Sequence, residues 1–191
     1  MDAIELAIQK LESIAPEEIE KKSGCRWDMQ KKVIVVPYLN LYCNISIPDF
    51  SFLEPFINTK EKILIFHYLI RSNNSIAETG SLISFSELQA GNIYKPSIES
   101  RVYRPLLDKF GSSGEKFLKK AFSLGAEKIE LSEFSVKIKV FPKVWIYVVL
   151  YLEDEEFPAS CQILFDSSII KIFETEDIVV MCEEITERLI S

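Results

Sequence analysis

The sequence predicts an α+β fold: an antiparallel sheet of hairpins with helices packed mainly on one face. Two observations carry that expectation. The hydrophobic period switches repeatedly between 3.6 and 2 along the chain. The strand-like runs also come as neighbours separated by short turn signals, whereas βαβ units alternate with helices. The chain has 191 residues, 48% hydrophobic and 27% charged, with only 6 Gly and 8 Pro. That is the size and composition of a single domain, 1–191, with a core of its own.

Residues 3–15 place Ile4, Ala7, Ile8, Leu11, Ile14 and Ala15 on one helical stripe, with Asp2 as cap. Pro16 opens a second short helix and Gly24 ends it. Val33–Val36 and the alternating run Leu39, Leu41, Cys43, Ile45, Ile47 predict a hairpin turning at Pro37–Tyr38. TKEKILIFHYLIR, residues 59–71, is apolar almost all round, which predicts a buried helix with a Thr cap. A short strand is expected at Ser81–Phe85 and helices over 97–110 and 114–124, with Gly125 as a C-terminal cap. A further strand is possible at Lys128–Leu131. Phe134–Phe141 and Val144–Leu152 form a second hairpin broken at Pro142–Lys143. A strand at Cys161–Phe165 and a helix near 175–190 close the chain.

Charge restricts the partners. The net charge is −7, which argues against a general binder of nucleic acid or anionic membrane. The acids concentrate in residues 151–191, which hold 11 acids and 2 bases, while residues 1–150 hold 18 and 20. The ordinary reading of this acidic segment is a solvated helix face beside a solvated loop. The alternatives are a surface for a basic partner or for a cation. No apolar run approaches the length of a membrane span, and the acidic N-terminus does not read as a secretory signal. Cys25, Cys43, Cys161 and Cys182 show neither a C-x-x-C pair nor a Cys/His cluster. A zinc or iron–sulfur motif is therefore not readable, no metal ligand set is assigned, and the cofactor is unknown. Free thiols in the cytoplasm are expected.

Three constellations could carry chemistry. His67 is the only histidine and shares a helix face with Ile63, Leu64 and Ile70, where a hydrogen-bonded core histidine is the default. The sharper reading is a proton donor or ligand contact at the mouth of an internal pocket. On the outward face of the late hairpin, Ser135, Lys137 and Lys139 lie against Trp145, Tyr147 and Tyr151, a pattern able to hold a flat anion by stacking and charge. Ordinary cross-strand pairing accounts for the same residues. Gly111-Ser-Ser-Gly114, with Lys116 and Lys119 beyond it, resembles the loop of KH RNA-binding domains, which clamps a nucleic-acid backbone. The competing reading is a plain helix–turn–helix corner. The acids Glu153–Glu156 read as a solvated strand exit.

Glu155-Glu-Phe-Pro-Ala-Ser-Cys161, Ile163-Leu-Phe-Asp166-Ser-Ser-Ile169 and Glu174-Thr-Glu-Asp177 resemble a prokaryotic family, domain of unknown function 3786. Lys62-Ile-Leu-Ile-Phe-His67-Tyr-Leu69, Thr79-Gly80 and Ile83-Ser-Phe85 fit it at the same spacing, so the resemblance covers about residue 55 to the end. It implies a protein of anaerobic metabolism, some relatives being fused to a four-cysteine iron–sulfur domain whose cysteine motif is not found in these 191 residues. The resulting expectation is a non-catalytic binding or accessory protein, partnering iron–sulfur or corrinoid proteins. An enzyme built on His67, Asp166 and Glu176 is the first alternative, and RNA binding through the GSSG loop is the second.

Overall fold

The computed structural model describes residues 2–191. Asp2 opens α1 (Ala3–Leu11) with a reciprocal cap: its carboxylate accepts the Glu5 N–H at 2.8 Å, and Glu5 accepts the Asp2 N–H at 2.9 Å. The apolar stripe continues to Ala15, yet the helix stops at Leu11. A residue before proline is pushed out of the α region, and Ala15, before Pro16, is extended at ψ 140°. α2 (Pro16–Ser23) ends as expected at Gly24, in the left-handed region at φ 73°.

β1 (Arg26–Asp28), β2 (Val33–Tyr38) and β3 (Leu41–Ser46) form an antiparallel sheet in that order. The hairpin turns at Leu39–Asn40 and not at Pro37–Tyr38, because Pro37 pairs with Tyr42 and Tyr38 with Leu41. β1 covers β2 only as far as Val35. Pro37 therefore lies on a locally free edge, where its missing N–H costs no ladder bond. Tyr38 is fully buried against Phe141, which draws it into the strand.

α3 (Thr59–Arg71) is the predicted buried helix, capped by Asn58 instead of Thr59. β4 (Leu82–Ser84) follows, then a 3₁₀ turn at Phe85–Glu87. The helix expected from residue 97 begins earlier, with α4 (Gly91–Ile98). It widens into a π turn at Glu99–Tyr103 and continues as α5 (Arg104–Phe110). Gly91 looks like loop in the sequence, but a Cβ there would stand 2.0 Å from the Phe85 carbonyl oxygen. Pro105 has no N–H to return to the previous turn, which accounts for the widening just before it.

α6 (Gly114–Ser123), β5 (Glu127–Lys128), β6 (Phe134–Phe141), β7 (Val144–Tyr151), β8 (Ser160–Asp166) and α7 (Thr175–Ile190) complete the chain. The second sheet is antiparallel throughout, in the order β4-β8-β7-β6-β5. The strands thus fall into two sheets, joined where the Leu39 N–H reaches the Val140 carbonyl at 2.9 Å. One continuous core runs from Leu11 and Ile19 through Tyr38, Leu64, Val136 and Ile146 to Met181. α7 lies against α3, α4, α5 and α6. Among the described residues no helix is long and apolar enough to cross a membrane.

The expectation of a solvated acidic face on α7 is overturned. Asp177, Glu183 and Glu184 are buried, because each meets a polar or cationic partner from a neighbouring helix or its cap.

Candidate functional site

The seam between α3 and α7 is a ladder of charge. Asp177 accepts from His67 Nδ1 at 2.7 Å and from Arg71 Nη1 at 3.1 Å. Glu184 accepts from Asn58 Nδ2 at 2.6 Å, and Glu183 from Arg101 Nη1 at 3.0 Å. Lys60 stands 3.4 Å from Glu184 and 3.5 Å from Glu183. Glu61 is held by Arg188. The sequence-predicted trio therefore does not assemble through direct contacts: His67 pairs with Asp177, one residue along from the exposed Glu176. Asp166 has partners of its own at the end of β8.

Buried Asp166 is a hub for five donors. It accepts the Thr79 N–H at 2.9 Å, the Gly80 N–H at 2.8 Å and the Ser168 N–H at 3.0 Å. The Thr79 and Ser168 hydroxyls add bonds of 3.0 and 2.6 Å. Burial alone raises a carboxyl pKa, but these donors stabilise the anion and hold Asp166 below its ordinary value. The predicted cap on the turn after β8 is thus present. Its second task, tying down the segment at Thr79–Gly80, is long-range. The motif segments quoted above meet in pairs, His67 with Asp177 and Thr79–Gly80 with Asp166.

That tied segment covers much of the late hairpin's outer face. Glu78 reaches down to Lys137 and accepts the Tyr147 hydroxyl at 2.7 Å. Lys137 also lies 5.5 Å from the Trp145 ring centre and 5.7 Å from that of Tyr147, and Lys139 lies 5.9 Å from Trp145. Tyr147 is buried. Burial and Glu78 both push its phenol pKa up. Ser135 is buried too, folded under the loop whose Ile129 and Ser132 carbonyls it meets at 2.9 Å. Glu78, Lys137 and Tyr147 satisfy one another and Ser135 is folded under its loop, while Lys139 and Tyr151 stand clear of the cover.

Gly111 and Gly114 are packing glycines. A Cβ on Gly111 would meet the Leu107 carbonyl oxygen at 2.7 Å, and one on Gly114 would meet the Phe134 ring at 2.2 Å. Lys116 and Lys119 are exposed. However, the Gly111 carbonyl accepts the Glu153 N–H at 3.3 Å, which seats the acids of residues 153–156 beside the loop. Carboxylates there oppose a phosphate backbone. Gly114→Ala is expected to cost about 1–3 kcal/mol by overpacking Phe134, read as a lower urea midpoint at unchanged slope.

All four cysteines are free thiols. Burial pushes Cys25, Cys43 and Cys161 up to about 12, and Cys182 up as well, so none is a ready nucleophile at neutral pH. Among the described residues no three His, Cys, Asp or Glu side chains stand together as metal ligands.

One apolar surface feature went unseen in the sequence. An apolar trough of about 860 Å³ runs between the ends of β6, β7 and β8, lined by Phe134, Leu150, Tyr151, Phe157 and Pro158. Phe157 is 66% exposed and Tyr151 49%. Asp154 accepts the Phe157 N–H at 2.7 Å, and the Phe157 carbonyl accepts the Asp154 N–H at 3.0 Å, so a tight turn presents the ring. Glu133, Glu153 and Asp154 rim the trough, and none of the three forms an ion pair among the described residues. The only sequence signal was Phe157-Pro158 directly after four acids.

Fold and site together define an α+β protein of two antiparallel sheets with an ion-paired helix seam and an acid-rimmed apolar trough. The chain belongs to the family described as Domain of unknown function (DUF3786), matched over residues 15–188. The match therefore takes in the first sheet as well as the later motifs. No curated protein and no solved structure matches the chain.

Proposed function

We propose that the chain is a non-catalytic binding or accessory protein that docks a basic, apolar-anchored segment of a partner protein in the trough beside Tyr151 and Phe157. The carrying observation is the Phe157 ring, on a hydrogen-bonded turn and 66% exposed beside an apolar floor, rimmed by carboxylates without cationic partners among the described residues. Ordered aromatic rings are strong anchors because they bring large contact area at low entropic cost. The unpaired acids favour lysine or arginine beside the anchor. The partner class implied by the family resemblance, iron–sulfur or corrinoid proteins of anaerobic metabolism, is the source this reading names for such a segment.

The test is fluorescence anisotropy with a labelled peptide of alternating leucine, tryptophan and lysine, against its glutamate counterpart. The lysine peptide should bind and weaken steeply with added salt. Phe157→Ser should reduce its affinity about tenfold or more, the loss of one interface hot spot. Equal binding of the two peptides, or an unchanged affinity in the variant, would sink this reading.

A second reading, an enzyme using His67, has one observation on its side. His67 Nδ1 is fixed by Asp177, while Nε2 makes no hydrogen bond among the described residues and 27% of the side chain is exposed. A carboxylate on one imidazole nitrogen with the other left open is the arrangement of a general base. Fast carbethoxylation of His67 by diethyl pyrocarbonate would support an accessible Nε2, and a protected ring would remove the reading.

A further inference from the structure

A second depression lies beyond Tyr151. It is a cleft of about 440 Å³ between the β4–β8 edge and the helix that runs from α4 into the π turn. Its volume is in the range of small-molecule sites. Phe85 and Ile98, both buried, form an apolar floor. Ala90 starts the helix from the left-handed region at φ 58°, and Gly91 allows it to pass tight against the Phe85 carbonyl. The π turn then directs Glu99 and Tyr103 to the same wall as Lys95. Strained backbone and π turns are features that recur at ligand sites.

Polar groups in the cleft fall into two kinds. Tyr103 and Cys161 are neutral: burial, with a smaller contribution from the nearby Glu99 charge, pushes both up to about 12. Cys161 Sγ is committed to the Tyr103 carbonyl at 3.7 Å. Lys95 and Glu99 are charged, lie one helical turn apart, and form neither an ion pair nor a side-chain hydrogen bond among the described residues. Lysine four residues before glutamate is the weaker orientation for such a pair on a helix. A ligand bearing only one charge would leave the other side chain facing it as a repulsive or idle group. A ligand bearing both satisfies the two at once and brings no net charge into the cleft.

We propose that this cleft binds a small zwitterion of the amino-acid class, its carboxylate on Lys95, its ammonium on Glu99 and its side chain on the Phe85–Ile98 floor. This goes beyond the docking reading and is independent of it, although the two depressions share Tyr151 and Ser160 as a common wall.

The test is calorimetry and native mass spectrometry of the full chain with each standard α-amino acid, then with the N-acetyl and amide forms of those that bind. At least one free amino acid should bind with 1:1 stoichiometry, most strongly one with an apolar side chain. Blocking either terminus should weaken binding about tenfold or more, the worth of one charge-assisted contact. Lys95→Met should erase the preference for the free carboxylate over the amide while keeping the preference for the free amine. Glu99→Gln should do the reverse. Both side chains are exposed, so unchanged melting temperatures will separate lost binding from lost fold. Absence of binding across the panel at about 10 mM, well above millimolar affinity, overturns the proposal. So does equal binding of free and blocked forms, or an equal loss for all ligands in both variants.

Discussion

Arg188→Met is expected to destabilise the protein by about 3–5 kcal/mol, towards the lower end because 25% of the arginine side chain is in solvent. The cost arises at the other partner. Glu61 is 1% exposed, and its Oε1 receives Arg188 Nε at 3.0 Å and the adjoining Nη2. Once Arg188 is gone, the Asn58 N–H at 3.1 Å remains, a neutral donor in place of a charged pair. The guanidinium also lies 5.7 Å from the centre of the Tyr38 ring, so its loss removes a cation–π contact as well. Glu61→Leu combined with Arg188→Met should be less destabilising than Arg188→Met alone, because no buried charge remains. The residual loss should be about 1 kcal/mol for the Asn58–Glu61 cap. Urea unfolding of the wild type, both single variants and the double variant measures this coupling. If the double variant loses the sum of the two single losses, the pair is not the energetic unit described.

Local chemistry was legible in the sequence, and long-range chemistry was not. The alternation from Phe134 to Val140 and the stripe Ile178, Met181, Cys182, Ile185 on α7 specified their elements because each pattern has one solution for burying its apolar set. Pro37 and Gly91 misled because both are punctuation in a local reading. A free strand edge tolerates the first, and the close Phe85 carbonyl requires the second. The histidine's partner was nearly readable. Consecutive residues on a helix point about 100° apart. Asp177 lies four before Met181 and so belongs to the buried stripe, while Glu176 belongs to the solvent side. No pattern could place Thr79 and Gly80 on Asp166, more than eighty residues away, or Glu78 over Lys137. Those contacts decided that the aromatic–lysine face is covered, and only the three-dimensional path of residues 73–81 reveals it. The acid run was read from charge alone, and its partner in meaning is the Phe157 ring that Asp154 holds out.

Asp166→Ala is expected to cost about 3–5 kcal/mol, since each of three N–H groups left without its acceptor costs about 1–3 kcal/mol and water can recover part of that. The same hub makes an acid-side prediction whose sign follows from the bonding. Burial works against ionisation of Asp166, but donors from Ser168, Thr79 and Gly80 outweigh it, so the folded carboxyl lies below its ordinary value. A group depressed in the folded state contributes its full stabilisation above the unfolded value, about pH 4 for aspartate, and loses it as pH falls through the folded one. Asp166→Asn removes that contribution at every pH while keeping the size of the side chain. The stability gap between wild type and Asp166→Asn should therefore be widest above about pH 5 and should narrow steadily below about pH 4. Glu78, Asp49 and Glu87 are also held below their ordinary values, so wild type alone would show a composite acid limb, and the difference between the two proteins isolates Asp166. A gap of constant width would mean that the donors recognise the shape of the side chain and not its charge. Hydrogen exchange gives the local counterpart. The Thr79 and Gly80 amides should lose protection in Asp166→Asn, and the Tyr147 ring beneath Glu78 should become more accessible, because the carboxylate that pins the segment also holds the cover over the sheet.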